Sequence, residues 1–313
     1  MDQFIVSLMN GIVYGLLLFM VSAGLTLIFG MMGVLNFAHA SFYMLGAYFA
    51  YTLQGVIGFW PAVVAAPILV GLIGVAVERF FLRRVHHHGH AHELLLTFGL
   101  SFIIAESIKL FYGNFPVDYR IPPALDVPAF SVGGAQYPVY RLLMGGIAIA
   151  MFAAIYLLLT RTRVGIVVRS AIYKPRMAEA LGHNVPLVFM GVFGVGAALA
   201  GLAGAVAGAF YTTNPNMALE LGVMVFVVVV VGGLGSLGGA MLASLLIGLV
   251  TSLAVGVDRS LADLLALVGA DDWARSVGGL LTLKVSSLSA TLPFALMLLI
   301  LLVRPGGLMG EKG

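Results

Sequence analysis

The 313-residue sequence has no cysteine, and Asp, Glu, Lys and Arg together supply only 9% of it. Without cysteine there is no disulfide scaffold, no thiol nucleophile and no cysteine metal site. The shortage of charge excludes more. Soluble domains carry about a quarter charged residues. A chain that is 61% hydrophobic with a mean hydropathy of +1.08 cannot cover a surface facing water. No phosphate-binding Gly-Lys-Ser/Thr loop is present, so the chain is not expected to hydrolyse ATP. Neither a Gly-x-Ser-x-Gly elbow nor a His-Glu-x-x-His helix occurs, and no enzymatic constellation or metal site stands out. The N-terminus, Met1-Asp2-Gln3, lacks the basic start of a signal peptide. The run after it is too long for a signal core, so Ala38-His39-Ala40 is read as uncut.

What is there is apolar sequence in long runs, at about 4–29, 31–57, 61–82, 94–113, 141–160, 187–210, 222–256 and 287–303. Several reach the roughly 20 residues that a spanning helix needs. The expected fold is all-α: one transmembrane domain over 1–313, a polytopic helical bundle in the lipid bilayer of eight or nine segments. Basic residues gather on the cytoplasmic side of a membrane. Arg79, Arg83 and Arg84 therefore place one loop inside. The Pro-rich loop 112–140, with Arg120 against Asp118 and Asp126, is outside, as is the N-terminus. The net charge of +3 is explained by this loop asymmetry and not by nucleic-acid binding. Residues 257–286 balance Asp258, Asp263, Asp271 and Asp272 against Arg259, Arg275 and Lys284 and give no orientation, while Arg304 and Lys312 favour an inside C-terminus.

The largest basic island, Arg161–Pro186, holds Arg161, Arg163, Arg169, Lys174 and Arg176. It has the length of a short helix on the membrane surface, offering Ala171, Met177, Ala178 and Leu181 to a partner. A cytoplasmic docking loop of this kind suits a membrane subunit driven by a soluble motor.

Two apolar segments are interrupted by glycine, Leu25–Ala47 and Phe226–Gly248, and their shared plan suggests a possible internal repeat. Unwound backbone in a membrane is tolerated where protein buries it or where it lines a cavity. Asn36, Phe37, His39 and Ser41 at the first break, and Gly232, Gly233, Gly235 and Ser236 at the second, are the candidate translocation path. The two breaks are expected to face one another across it, so that enlarging Gly233 or Gly235 would block passage. The plainer alternative is that the glycines only let helices pack closely. A small-residue ladder, Gly196, Ala200, Gly204 and Gly208, serves a contact within the subunit or with a partner. Glu106 and Lys109 are placed to pair on one helix. The five imidazoles His86, His87, His88, His90 and His92 read as a solvated, dispensable loop without the ordered spacing of a metal site.

Gly24–Gly46, Arg169–Gly208, the GGLGSLGG stretch Gly232–Gly239 and the tail Arg304-Pro305-Gly306-Gly307-Leu308 together resemble the LivH-type permease of bacterial branched-chain amino acid ABC transporters. The resemblance implies a multi-pass permease of the bacterial inner membrane that moves branched-chain or other hydrophobic amino acids by alternating access. It implies a LivM-like second permease, two ABC ATPase subunits and a periplasmic substrate-binding protein. No cofactor is implied in this chain, since ATP would be bound by the partners. The coupling segment it implies contains Arg169, Lys174, Arg176, Ala178, Glu179 and Gly182. Permeases for urea and short amides are closely similar and stay open as an alternative. So does an ion-coupled transporter acting alone, for which Glu106 is the main carboxylate.

Overall fold

The computed structural model describes residues 2–132, 135–257, 260, 263, 273, 276–279 and 282–310. The calls on Asp258, Arg259, Asp271, Asp272, Arg275 and Lys312 lie outside these residues. Helices α1 (Asp2–Met32), α2 (His39–Ile57), α3 (Phe59–Val77) and α5 (His90–Tyr112) form the first half. A π-helical turn, Glu78–Leu82, and the short α4 (Arg83–Val85) join α3 to α5. A β-hairpin, β1 (Pro128–Val132) and β2 (Ala135–Pro138), precedes α6 (Val139–Arg161). The short α7 (Arg163–Tyr173) and α8 (Pro175–Ala180) follow, then α9 (Val185–Ala207), α10 (Met217–Gly232), α11 (Leu237–Gly256) and α12 (Leu292–Val303). Among the described residues, six helical stretches are long and apolar enough to cross a membrane, including α1, α5, α6, α9 and α11. α10 and α12 are apolar but shorter.

α1 is the central post. Its apolar window is 78% buried, against 17% for that of α5, which stands at the edge of the bundle. Lipid offers no hydrophobic drive between helices, so close backbone approach at small residues has to hold them. Gly24 abuts Gly196, Gly46 abuts Gly201, and Gly204 lies against the backbone of Tyr43. The small-residue ladder of α9 is thus used within the chain, against α1 and α2. Gly11 and Gly15 pack in the same way on α11. A methyl at Gly46 would meet the Gly201 carbonyl and Cα, with backbone on both sides and nothing flexible to yield. Gly46→Ala is expected to destabilise the protein by roughly 1–3 kcal/mol, read as a lowered unfolding midpoint in mixed detergent and dodecyl sulfate.

The helix ends sort into two faces. At one, Tyr137 donates to the Met9 carbonyl (3.2 Å), Tyr119 to Ala205 (2.7 Å) and Tyr140 to Val206 (2.7 Å). Arg141 bonds Asn10 and lies over the rings of Tyr137 and Phe210, at 5.4 and 5.0 Å. The loop 112–140 therefore closes on the start of α1 and the end of α9. The opposite face is basic. Arg83 there pairs with the buried Glu78 at 2.7 Å and donates to the Pro186 carbonyl at 2.8 Å, tying the α3–α5 connection to the Arg161–Pro186 island.

The second break is a tight turn at the basic face. Gly233 and Gly235 hold φ of +98° and +85°, which favours glycine. Ser236 Oγ accepts from Gly239 N at 3.1 Å and caps α11. The tail after α12 satisfies the last carbonyls of α10, with Leu308 N donating to Val231 (2.8 Å) and Met309 N to Gly232 (3.0 Å).

Candidate functional site

The first break is built differently. Gly33, at φ +67°, ends α1 by donating to the Phe29 carbonyl at 2.8 Å. Asn36 then organises the turn: its Oδ1 accepts from Ala38 N (3.0 Å) and its carbonyl from His39 N (3.2 Å). Phe37 N donates to Thr97 Oγ1 on α5 at 3.2 Å. His39 opens α2 with its Nε2 on the Val21 carbonyl at 2.9 Å, and since a carbonyl only accepts, the proton sits on Nε2. Val21 lies about 16 Å back from the inner end of α1 at 1.5 Å per residue. α2 therefore starts at membrane depth, and irregular backbone there belongs where protein buries it or a cavity meets it.

A cavity of about 320 Å³ meets it. Its floor is Leu35, Asn36, Phe37, His39, Ala40 and Ser41 with Leu25, one wall is on α5 between Phe98 and Lys109, and the other lies between Pro215 and Phe226, leading into and along α10. The Phe37 ring bridges the walls, edge-on to Phe98 and stacked on Phe226, with centroids 6.4 Å apart in each case. Two buried polar atoms at the floor lack hydrogen-bond partners, Asn36 Nδ2 and His39 Nδ1. Their residues stand among mostly apolar neighbours with a few polar side chains, Ser41, Ser101, Glu106, Lys109 and Asn216, the composition of a small-molecule site.

Of the candidate path residues, Asn36, Phe37, His39 and Ser41 line this cavity, whereas Gly232, Gly233, Gly235 and Ser236 do not. The two breaks do touch, Gly30 against Gly235, but in backbone packing at the basic face. Of the walls, only Glu106 and Lys109 on α5 were singled out in the sequence, as a pair and not as part of the path; the rest of α5 and α10 was not. The signal was available on α5, where Phe98, Ser101, Phe102, Ala105 and Lys109 recur every three or four residues and mark one helix face.

The basic island holds α7 and α8. Arg169, Lys174, Arg176 and Glu179 are exposed, with Met177 and Leu181 beside them, while Ala178 is buried with Ala171 and Val185. Gly182, at φ +87°, closes α8: its N donates to Glu179 (2.9 Å) and His183 N to Ala178 (3.0 Å).

The imidazole loop is not uniformly solvated. His86 and His90 both bond the carboxylate of Glu93, whose side chain is 2% exposed, and the His90 contact is 3.2 Å. No group of three metal-ligating side chains occurs among the described residues. Changing His87, His88 and His92, all exposed, to Ser is expected to leave the melting temperature of the purified protein within about 1 °C, as for other exposed surface positions. Changing His86 and His90 together strands a buried carboxylate. It is expected to destabilise by about 1–3 kcal/mol, seen as a lower melting temperature of the purified protein.

Comparison with known proteins decides the family. Residues 7–301 match the family described as branched-chain amino acid transport system / permease component. The chain belongs to this family. It is 26% identical to the high-affinity branched-chain amino acid transport system permease protein BraD of Pseudomonas aeruginosa, covering 99% of this chain and 96% of that protein. To the permease protein LivH of Escherichia coli K12 it is also 26% identical, over 98% and 96%. A probable branched-chain amino acid transport permease of Methanocaldococcus jannaschii is 26% identical over 78% of this chain and 79% of its own length. The chain is a transport permease component and not an enzyme, a multi-pass protein of the inner membrane.

Proposed function

We propose that this chain is a membrane-spanning subunit of an ATP-binding-cassette importer for branched-chain and other hydrophobic amino acids. The observation that supports it is the cavity at the first break, mostly apolar, with an unpartnered donor and acceptor among its floor residues and the Glu106–Lys109 pair in its wall, in a chain of this permease family. Aliphatic side chains suit the phenylalanine walls, and a zwitterion finds polar atoms at Asn36 and His39. In this reading the basic face is cytoplasmic, following the inward bias of Lys and Arg. A LivM-like permease completes the membrane unit, two ABC ATPases bind the ATP, and a periplasmic binding protein delivers the substrate. Closure of the ATPases presses on α7 and α8 and alternates access to the cavity.

The exposed end of α8 is the coupling contact. Glu179→Lys combined with Gly182→Val reverses a surface charge and puts a β-branched residue at positive φ. It is expected to cut uptake at least tenfold while ATP hydrolysis and expression persist. Uptake at wild-type level with this double substitution would remove α8 from the coupling route. The function itself is tested by reconstituting the chain with partner ATPases, a second permease and a binding protein. Leucine, valine and urea are offered with and without ATP, and with an ionophore. ATP-dependent leucine uptake insensitive to the ionophore is expected. Urea uptake, or uptake driven by an ion gradient without ATP, would overturn the reading.

A further inference from the structure

The mouth of the cavity carries a charge pair. Lys109 Nζ donates to Glu106 Oε1 at 2.6 Å, three residues away on α5. Both side chains line the cavity, and both also line a shallower groove with Ile103, Ser107, Leu110 and Asn114 toward the end of the same helix. The pair stands where the two spaces meet. Glu106 lies about 9 Å before the end of α5 at Tyr112, at 1.5 Å per residue, and so within the apolar span. Its side chain is 65% exposed and that of Lys109 is 31% exposed. Charges at such depth are expensive against lipid and face water-filled spaces or partners. An exposed pair contributes little to stability, so folding does not explain its position. Among the described residues lining the cavity, Asp, Glu, Lys and Arg are confined to this pair.

We propose that Glu106 and Lys109 form the entry contact that recognises a zwitterion. This rests on the reading of the chain as an amino acid permease. The resting pair opens, the substrate's α-ammonium takes the Glu106 carboxylate, and its α-carboxylate takes the Lys109 ammonium. One internal ion pair is exchanged for two external ones. The site and its ligand each have no net charge before and after, so no counterion has to follow the substrate. The two charges of an α-amino acid are one carbon apart and fit a pair held three residues apart on a helix. The aliphatic side chain then points along the α5 face toward Phe102 and Phe98, and the next polar partners are Asn36 and His39 at the floor. Apolar walls select the side chain, and the pair selects the α-amino acid head.

The test uses the assembled membrane complex with its ATPases, nucleotide-free and without the binding protein, whose own selectivity would mask the effect. Binding of tritiated L-leucine is measured by scintillation proximity. The competitors are 3-methylbutylamine, which lacks the carboxylate, and 4-methylpentanoate, which lacks the ammonium. In the wild type both analogues are expected to bind at least tenfold more weakly than leucine. Glu106→Gln should weaken leucine at least tenfold and erase its advantage over 4-methylpentanoate. Lys109→Gln should erase the advantage over 3-methylbutylamine. Lys109→Glu should invert that preference, so that the amine binds better than leucine, which a merely structural pair would not produce. If leucine affinity is unchanged in these variants, or falls with the analogue ratios unmoved, the pair is not a recognition site. A wild-type complex that imports leucine with ATP while the ratios stay fixed sinks this proposal alone. A wild-type complex that neither binds nor imports leucine sinks the functional reading, and this proposal with it.

Discussion

Asn36→Leu is expected to cut ATP-driven leucine uptake at least tenfold while the permease still assembles with its partners. Asn36 is 3% exposed, and its side chain has two separable tasks. Oδ1 accepts from Ala38 N and shapes the turn into α2. Nδ2 has no partner in the protein. A buried donor left unsatisfied costs about 1–3 kcal/mol, and native structures retain such groups where something else satisfies them in use. In the proposed function a substrate in the adjoining cavity is what satisfies it. Losing one such bond to a passing carboxylate corresponds to about a tenfold change for each 1.4 kcal/mol. Asn36→Asp separates the tasks, because it keeps the acceptor for Ala38 N and removes the donor. A buried carboxyl also costs stability, so uptake is read per assembled complex, where it should still be poor. Wild-type uptake by Asn36→Asp would show that Nδ2 is not used and that the turn alone matters.

Much of this site was legible in the sequence because its signals are local. Composition alone required a membrane bundle. The clustering of Arg161, Arg163, Arg169, Lys174 and Arg176 marked the island that holds α7 and α8. The run Gly33–Ser41 announced a break, since Gly ends a helix at positive φ and Asn starts the next turn through its own side chain. What was not legible depends on contacts distant along the chain. Nothing near Phe37 points to Thr97, which takes its N–H from another helix. Nothing near Gly232 reveals that Leu308 and Met309 will seal the end of α10. Glu93 passed unnoticed beside the imidazoles, because its role depends on how α5 turns to bury it under His86 and His90. The possible repeat of break and helix is likewise only half expressed in shape. α10 and α11 stay packed together, while α2 leaves α1 to pack on α3 and α9.

Gly235→Leu is expected to abolish recovery of folded permease, a larger effect than any single change in the cavity. Two independent costs meet at this residue. Its φ of +85° is a conformation that a leucine adopts only under strain. Its Cβ would also stand 2.7 Å from the Gly30 Cα, on backbone that cannot swing aside. Gly30 faces the same restriction in return, since a Cβ there would lie 2.9 Å from the Gly235 Cα. The contact fixes the basic end of α1 to the start of α11, and α1 is the post on which the bundle packs. Gly238→Ala is the matched control, because its added methyl would meet only the flexible end of Met309, at 3.6 Å and beyond. Size-exclusion profiles of fluorescently tagged permease should show the Gly238→Ala peak intact and the Gly235→Leu peak gone. The outcome also decides what the second break does. If Gly235→Leu were recovered folded and assembled but failed to pass leucine, the turn would lie on the translocation path beside Asn36. If it is lost at the folding stage, the turn is a structural joint, and the path runs past the first break, between α5 and α10.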